Sequence, residues 1–320
     1  MVLMRIVFCG SGYFGIPTLQ WLTGRQSGHE IVGVVTQPPR RAGRGGRLRP
    51  TAVAQAAEPL NLTAIPVEDI NTTQNVAAIA DLAPEVMFVA DFGQMIHRQA
   101  RDTAAVGAFN LHGSLLPQLR GAAPVNWAII RGFTETGVTV FRLVDRMDAG
   151  EVFCRLATDV RPDETAEQLR SRLAELGVEA VDKTLQMLAD GRTHSQAQDE
   201  SQATQAPRLT KADGVIDFSA DAVTIRNLIH GTWPWPGAQA RYVGLDGRTA
   251  DVVIAGAAAV EAAPSSLPPG AVAEDLTVAT GGGRLAIRQI RPAGRKLMAW
   301  RAFVNGYRAG PGARFEAVSK

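Results

Sequence analysis

Cysteine is nearly absent: the 320 residues hold two, Cys9 and Cys154. Each lies inside an apolar run, with no CxxC pair and no neighbouring histidine. That excludes a disulfide framework and a cysteine–histidine zinc site, and it fits a reducing compartment. Long hydrophobic runs are missing too, none reaching the roughly twenty residues a membrane helix needs. The apolar residues 1–9 are interrupted by Arg5, and the glycines of 10–15 end them too early for the core of an export signal. A cytoplasmic location is expected. Net charge is small, +2 from 33 basic and 31 acidic residues, so only its distribution along the chain can be informative.

What is present is the balance of a globular protein, 46% apolar and 20% charged. The length exceeds one ordinary core, so two domains are expected. Short apolar runs at residues 6–9, 31–35, 86–90, 106–112 and 138–141 alternate with helical patterns. That alternation predicts an α/β fold with a doubly wound, mainly parallel, Rossmann-like sheet. Residues 163–190 read as one long helix, capped by Asp163 and stopped by Gly191. Residues 191–208, rich in Ser, Thr, Gln and Ala, have linker composition. Beyond them, short strands at 238–243, 249–254, 276–279 and 285–290 are separated by glycine turns, predicting a small OB-like β-barrel. The expected division is therefore a catalytic domain of residues 1–190, a linker of 191–208 and a barrel of 209–320.

Gly10, Gly12 and Gly15 match GxGxxG between a strand and a helix. A dinucleotide site would also need an acid at the end of the second strand, where Thr36-Gln37-Pro38 stands instead. A tight strand-to-helix turn is the simpler reading, with a nicotinamide dehydrogenase as the alternative.

The sharper signal is Phe109-Asn110-Leu111-His112-Gly113-Ser114-Leu115-Leu116-Pro117. Strand alternation puts Asn110 and His112 on one face, at the carboxyl edge where open α/β sheets bind ligands. Two polar residues ending a strand are more often turn chemistry than catalysis, but Asp148, in a polar loop between two predicted strands, adds a third group. Together they can move a proton and stabilise an oxyanion. No Ser or Cys nucleophile stands beside a base, which favours direct transfer over a covalent intermediate. No metal-ligand spacing is present.

The segment from Asn110 to Pro117, followed by Arg120-Gly121-Ala122-Ala123-Pro124, resembles the signature of the formyltetrahydrofolate-dependent formyltransferases. Further stretches, among them Val35-Thr36-Gln37-Pro38, Met147-Asp148-Ala149-Gly150 and Trp235-Pro236-Gly237, extend the resemblance over residues 4–314, to the branch of that family acting on methionyl-tRNA. The resemblance implies 10-formyltetrahydrofolate as donor, methionyl-initiator tRNA as acceptor, no metal and a monomer. It implies Asn110 on the formyl oxygen, His112 assisting there and in proton movement, and Asp148 orienting His112 and helping to accept the ammonium proton. The pterin would lie along Phe88, Ala90, Phe92, Gly93, Gln94 and Met95, and along Ser114, Leu115, Leu116 and Pro117. Three places in the chain depart from the family pattern. Gly12 and Tyr13 stand in a turn that usually reads Gly-Thr-Pro before an acidic or polar residue. Asp91 replaces an apolar residue, and Gly113 replaces an alanine.

Two windows lack acids. Residues 38–50 hold Arg40, Arg41, Arg44, Arg47 and Arg49; residues 284–314 hold Arg284, Arg288, Arg291, Arg295, Lys296, Arg301, Arg308 and Arg314. A charge run is usually a solvated face, but two such windows favour a polyanion the size of tRNA. The first resembles the family's flexible loop that enters the acceptor stem. Trp233-Pro234-Trp235-Pro236-Gly237 can stack bases or cap the barrel as a rigid turn. Competing readings are a sugar-nucleotide N-formyltransferase, a formyltetrahydrofolate hydrolase and a non-catalytic RNA-binding protein. The basic windows argue against the first two, and Asn110, His112 and Asp148 against the third.

Overall fold

The computed structural model describes residues 3–42, 46–191, 194–260 and 267–318. It divides into two compact units: Met1–Pro124, Glu135–Asp159 and Arg170–Pro207 form the first; Val125–Thr134, Val160–Leu169 and Arg208–Lys320 form the second.

The first unit contains β1 (Arg5–Gly10), β2 (Glu30–Thr36), β3 (Arg40–Ala42), β4 (Arg47–Arg49), β5 (Ala64–Pro66), β6 (Val86–Ala90), β7 (Gly107–His112), β8 (Glu135–Arg142) and β9 (Val152–Asp159). Seven of these make one sheet in the order β5-β2-β1-β6-β7-β8-β9, while β3 and β4 form a separate two-stranded sheet. The strands from β5 to β7 are parallel, and β8 and β9 are antiparallel to their neighbours. The run at 138–141 completes the mainly parallel sheet as an antiparallel member. A strand buried on both faces is apolar in either direction, so its hydrophobic pattern carries no orientation.

Successive residues of the central strands feed opposite faces. Val7, Cys9, Met87 and Val89 join Val35, Ile70, Ile79 and Phe92 in one core, while Phe8, Phe88 and Phe109 are fully buried on alternate positions. Burial pushes the Cys9 thiol up to about 12, so it behaves as an inert core side chain. The glycines after β1 serve close packing. A Cβ at Gly10 would lie 3.0 Å, and one at Gly15 3.1 Å, from Ala90 O.

The long helix is Ala166–Ala189, shorter at its start than expected. A reciprocal Thr165–Gln168 capping box opens it, and Asp163 pairs with Arg288 instead. The segment expected to be a linker is mostly part of the first unit. Gln196 pairs with Val152 and Gln205 with Arg120 as isolated β-bridges. Its Ser, Thr and Gln residues suit a solvated linker equally well as an extended strand satisfying a neighbour's backbone, so composition misled.

The second unit contains β10 (Ala238–Val243), β11 (Thr249–Val260), β12 (Val278–Ala279), β13 (Arg284–Pro292), β14 (Met298–Ala299) and β15 (Arg314–Glu316). These pair antiparallel in the order β12-β13-β11-β10-β15, with β14 beside β13. Residues 270–272 bridge the two ends. Gly270 N donates to Ala279 O at 2.8 Å, Phe315 N to Gly270 O at 2.8 Å and Val272 N to Ala313 O at 2.9 Å. The sheet therefore closes into the expected barrel. Its core holds Ile254, Ile290, Tyr242, Phe303 and Phe315, with Tyr242 and Phe303 edge to face at 5.1 Å. Asn126, which precedes this stretch of chain by more than eighty residues, donates to Gly231 O at 2.7 Å in the helix Ala222–Thr232. Besides Arg208–Lys320, the second unit thus takes in Val125–Thr134 and Val160–Leu169.

Candidate active site

β7 ends the parallel run of the sheet and brings Asn110 and His112 to its carboxyl end, two residues apart and so roughly 7 Å along the strand. Asn110 is half-buried, and its side-chain amide makes no hydrogen bond among the described residues. An unpaired amide at a strand end has donor and acceptor capacity left for a ligand. His112 is buried, with its ring edge-on to Phe141. His112 Nε2 lies 2.9 Å from Leu119 O. A carbonyl can only accept, so Nε2 carries a proton, and in the neutral imidazole the lone pair is on Nδ1.

Nδ1 faces Asp148 Oδ2 at 3.7 Å, too long for a hydrogen bond. The Asp148 carboxylate is held elsewhere, by Gly121 N at 2.7 Å. Asp148 has φ +52, in a loop closed by Arg142 N to Glu151 O at 2.9 Å, and a Cβ at Gly150 would collide with Arg142 O. The structure thus brings His112 and Asp148 together without direct bonding. Each is held by the loop 117–121, through Leu119 O and Gly121 N. Neither contact was legible, because Leu119 takes φ +60 and nothing in its side chain announces it.

The turn after His112 is set by Thr139 on β8, which sequence reading missed. Thr139 Oγ1 donates to Ser114 O at 2.7 Å and accepts from Leu116 N at 3.1 Å. Among the described residues no cluster of three metal-type ligands occurs, and no helix is long and apolar enough to cross a membrane.

The profile of the family described as formyl transferase matches residues 4–185, and that of formyl transferase, C-terminal domain, matches residues 208–308. The methionyl-tRNA formyltransferase of Geotalea uraniireducens (strain Rf4) is 38% identical over 309 residues, covering 97% of both chains. That of Geobacter sulfurreducens is 37% identical over 315 residues, covering 97% of this chain and 96% of its own. The chain belongs to the formyl transferase family. Among solved structures, HypX from Aquifex aeolicus in complex with tetrahydrofolic acid superposes with a TM-score of 0.65 at 17% identity, over 97% of this chain and 48% of that one. WlaRD, a sugar 3N-formyl transferase, gives 0.64 at 14%, over 92% and 100%. At those identities the likeness is one of fold.

In this formyl transferase the segments expected along the pterin divide by accessibility. Phe88 and Ala90 are fully buried, Phe92 and Leu116 nearly so, while Gly93 and Met95 are exposed. Gln94 is committed to the backbone. Its Oε1 accepts from Ile70 N at 2.9 Å and its Nε2 donates to Val67 O at 3.0 Å, so it shapes the loop. Ser114 Oγ is likewise spent on Gln118 O at 2.6 Å. Leu115 and Pro117 are half-buried.

Two of the departures from the family pattern turn out to be one. A Cβ at Gly12 would sit far inside van der Waals contact with Asp91 Oδ2, so the carboxylate fills the space a larger residue 12 would take. Asp91 is exposed at its surface, yet desolvation pushes its carboxyl above the usual range, against the Arg170 charge and a hydrogen bond from Phe14 N.

The first basic window is a hairpin. β3 and β4 pair Arg40 with Arg49 and Ala42 with Arg47, so Arg40, Arg47 and Arg49 share one face, exposed and without a carboxylate partner among the described residues. Arg41 pairs with Leu48 and donates to Gly46 O at 3.1 Å; Arg44 lies outside the described residues. In the second window Arg284, Arg288 and Arg314 are taken up by Asp275, Asp163 and Glu316, all beyond the acid-free stretch. Arg291 stacks over Trp233 at 5.3 Å. Arg295, Lys296, Arg301 and Arg308 are exposed with no ion pair among the described residues. Trp235 is 52% exposed.

Proposed function

We propose that this chain carries the formyl group of 10-formyltetrahydrofolate to the α-amine of methionyl-initiator tRNA, as a cytoplasmic monomer serving translation initiation. The observation that carries the chemistry is the unpaired Asn110 amide on the same strand end as the His112–Asp148 pair. The amine attacks the formyl carbon, the new C–N bond forms, and the bond to folate N10 breaks as N10 takes a proton. Negative charge grows on the formyl oxygen in between. A placed amide donor, here Asn110, can lower that barrier by about 3 kcal/mol. The incoming ammonium must first lose a proton, and His112 Nδ1 and the Asp148 carboxylate are the two acceptors beside it. The folate ring would meet the backbone of residues 91–95 and the turn 114–117, with Phe88 and Ala90 supporting from beneath.

For the acceptor, the names of the relatives and the charge distribution agree. Arg40 opposite Arg49 is a repulsive cross-strand pair, tolerable where a polyanion neutralises it. A sugar nucleotide would need neither this hairpin nor the exposed Arg295, Lys296, Arg301 and Arg308 of the second unit. The test is transfer of labelled formyl from 10-formyltetrahydrofolate with methionyl-initiator tRNA, a dTDP-amino-sugar and water offered together. Label is expected on the tRNA; label on the sugar, or free formate, would overturn the acceptor assignment.

A further inference from the structure

His112 and Asp148 do not hold each other, and the loop that holds both is strained. Leu119 has φ +60 and Gly121 φ +122. A non-glycine residue in the left-handed region is strained, and such conformations persist only where their surroundings over-determine them. The surroundings here are residues 196–206. Thr204 Oγ1 accepts from Leu119 N at 2.8 Å, Thr204 O accepts from Arg120 N at 2.8 Å, and Ala206 N donates to Arg120 O at 2.6 Å. A Cβ at Gly121 would lie 2.6 Å from Ala206 O, so the two segments are in full contact. The carbonyl of Leu119, whose amide Thr204 grips, is the one bound to His112 Nε2.

Gln198 does the same for the other partner. Its Nε2 donates to Asp148 O at 2.9 Å and Gly150 O at 2.7 Å, and its Oε1 accepts from Arg120 Nε at 3.1 Å and Nη2 at 2.7 Å. Every donor and acceptor of that amide is spent on the two loops that carry the site. Arg120 in turn is buried and paired with Glu200, whose carboxyl it holds down at about 2, helped by Arg146.

We propose that Thr204 and Gln198 are positioning residues for formyl transfer: Thr204 fixes the carbonyl that orients His112, and Gln198 fixes the backbone that presents Asp148. The proposal rests on reading Asn110, His112 and Asp148 as the reacting groups. A misplacement of about 1 Å can cost on the order of a hundredfold in rate without loss of binding.

The experiment compares Thr204→Val, Thr204→Ser and Gln198→Glu in the full chain, with methionyl-initiator tRNA and 10-formyltetrahydrofolate. Thr204→Ser keeps the acceptor oxygen. Gln198→Glu keeps the Arg120 contact, and with it the fold, but removes both donors to the Asp148 loop. Thr204→Val and Gln198→Glu should lower kcat by about tenfold to a hundredfold, with either KM within about twofold, and Thr204→Ser should stay near wild type. Nitrogen-15 NMR of the imidazoles adds a readout that a purely structural role leaves still. The His112 signal should report the Nε2–H tautomer in the wild type and a mixed state in Thr204→Val. Unchanged kcat with an unchanged His112 signal overturns the proposal, as does a rise in KM alone. Asn110→Ala and His112→Ala run alongside separate the two readings. If those are crippled while the three variants are silent, only the positioning role falls; if all are silent, the site assignment falls with it.

Discussion

Replacing Gly12 by alanine puts a methyl group into the Asp91 carboxylate, and the cost can be worked from the local geometry. Gly12 has φ −89 and ψ 178, extended backbone that alanine adopts freely, so the penalty is purely steric. The backbone cannot yield easily, because Ser11 N and Gly12 N both donate to Asp91 O, at 3.0 and 3.1 Å. The carboxylate must therefore rotate away. Overpacking of this kind puts Gly12→Ala at about 2 kcal/mol destabilising. Asp91→Gly empties the space and suits φ +50. In that background Gly12→Ala should be about 0.5 kcal/mol stabilising, through a less flexible unfolded chain. The coupling is then about 2–3 kcal/mol, well beyond the roughly 0.5 kcal/mol scatter of independent sites. Urea unfolding of the four proteins in the double-mutant cycle measures it. If Gly12→Ala costs the same in both backgrounds, the steric account of this paired departure is wrong.

Three further outcomes are expected. Asn110→Ala and His112→Ala should each lower turnover by at least about a hundredfold while the proteins still fold, and near-normal turnover in either would remove the proposed mechanism. Replacing Arg40, Arg47 and Arg49 with serine should weaken tRNA use without changing folate binding, and should flatten the log–log salt slope of tRNA binding by about 2; an unchanged slope returns the hairpin to a solvated face. His230, buried in the second unit beside Arg226 and Arg288, has its pKa lowered to about 4 chiefly by desolvation, with those two cations adding to it. Between that value and the ordinary 6.5 the unfolded chain binds the extra proton, so stability is full above about pH 6.5, declines as pH falls through the window and levels off below about pH 4. The loss should approach about 3 kcal/mol, and His230→Gln should flatten the decline; a variant with the wild-type pH profile of unfolding would count against it.

How much of this was legible depends on which physical term decides each element. β1 and β6 are buried apolar runs, β2 and β7 partly so, with turn residues between them, and the sequence pattern finds such strands because burial is what it encodes. The reversal of β8 and β9 is a property of connectivity, which the runs do not record. The hairpin of β3 and β4 was invisible for the opposite reason: arginine and glycine are poor strand formers, and only pairing reveals the shared face of Arg40, Arg47 and Arg49. The string from Arg284 to Arg314 looked uniformly free because Asp163 and Asp275, which neutralise two of its arginines, lie outside it in sequence. At the site, strand alternation put Asn110 and His112 on one face. It could not supply Leu119 O or Gly121 N, since those contacts depend on backbone angles that the residue types do not dictate.

The 3.7 Å gap between His112 and Asp148 bears on why the site needs outside support. If Asp148 accepted a hydrogen bond from Nδ1 while Nε2 donated to Leu119 O, the ring would donate from both nitrogens and have no lone pair to offer. Holding the carboxylate back on Gly121 N leaves Nδ1 open, and still keeps a negative group beside the imidazole for when it takes up a proton. In the proposed reaction an arriving ammonium can then meet two acceptors at once, each already oriented. The arrangement only works while the gap is maintained, and neither residue can maintain it alone. A loop with two left-handed residues, clamped along its length by a polar segment, is a physical means of holding two groups near each other without letting them bond.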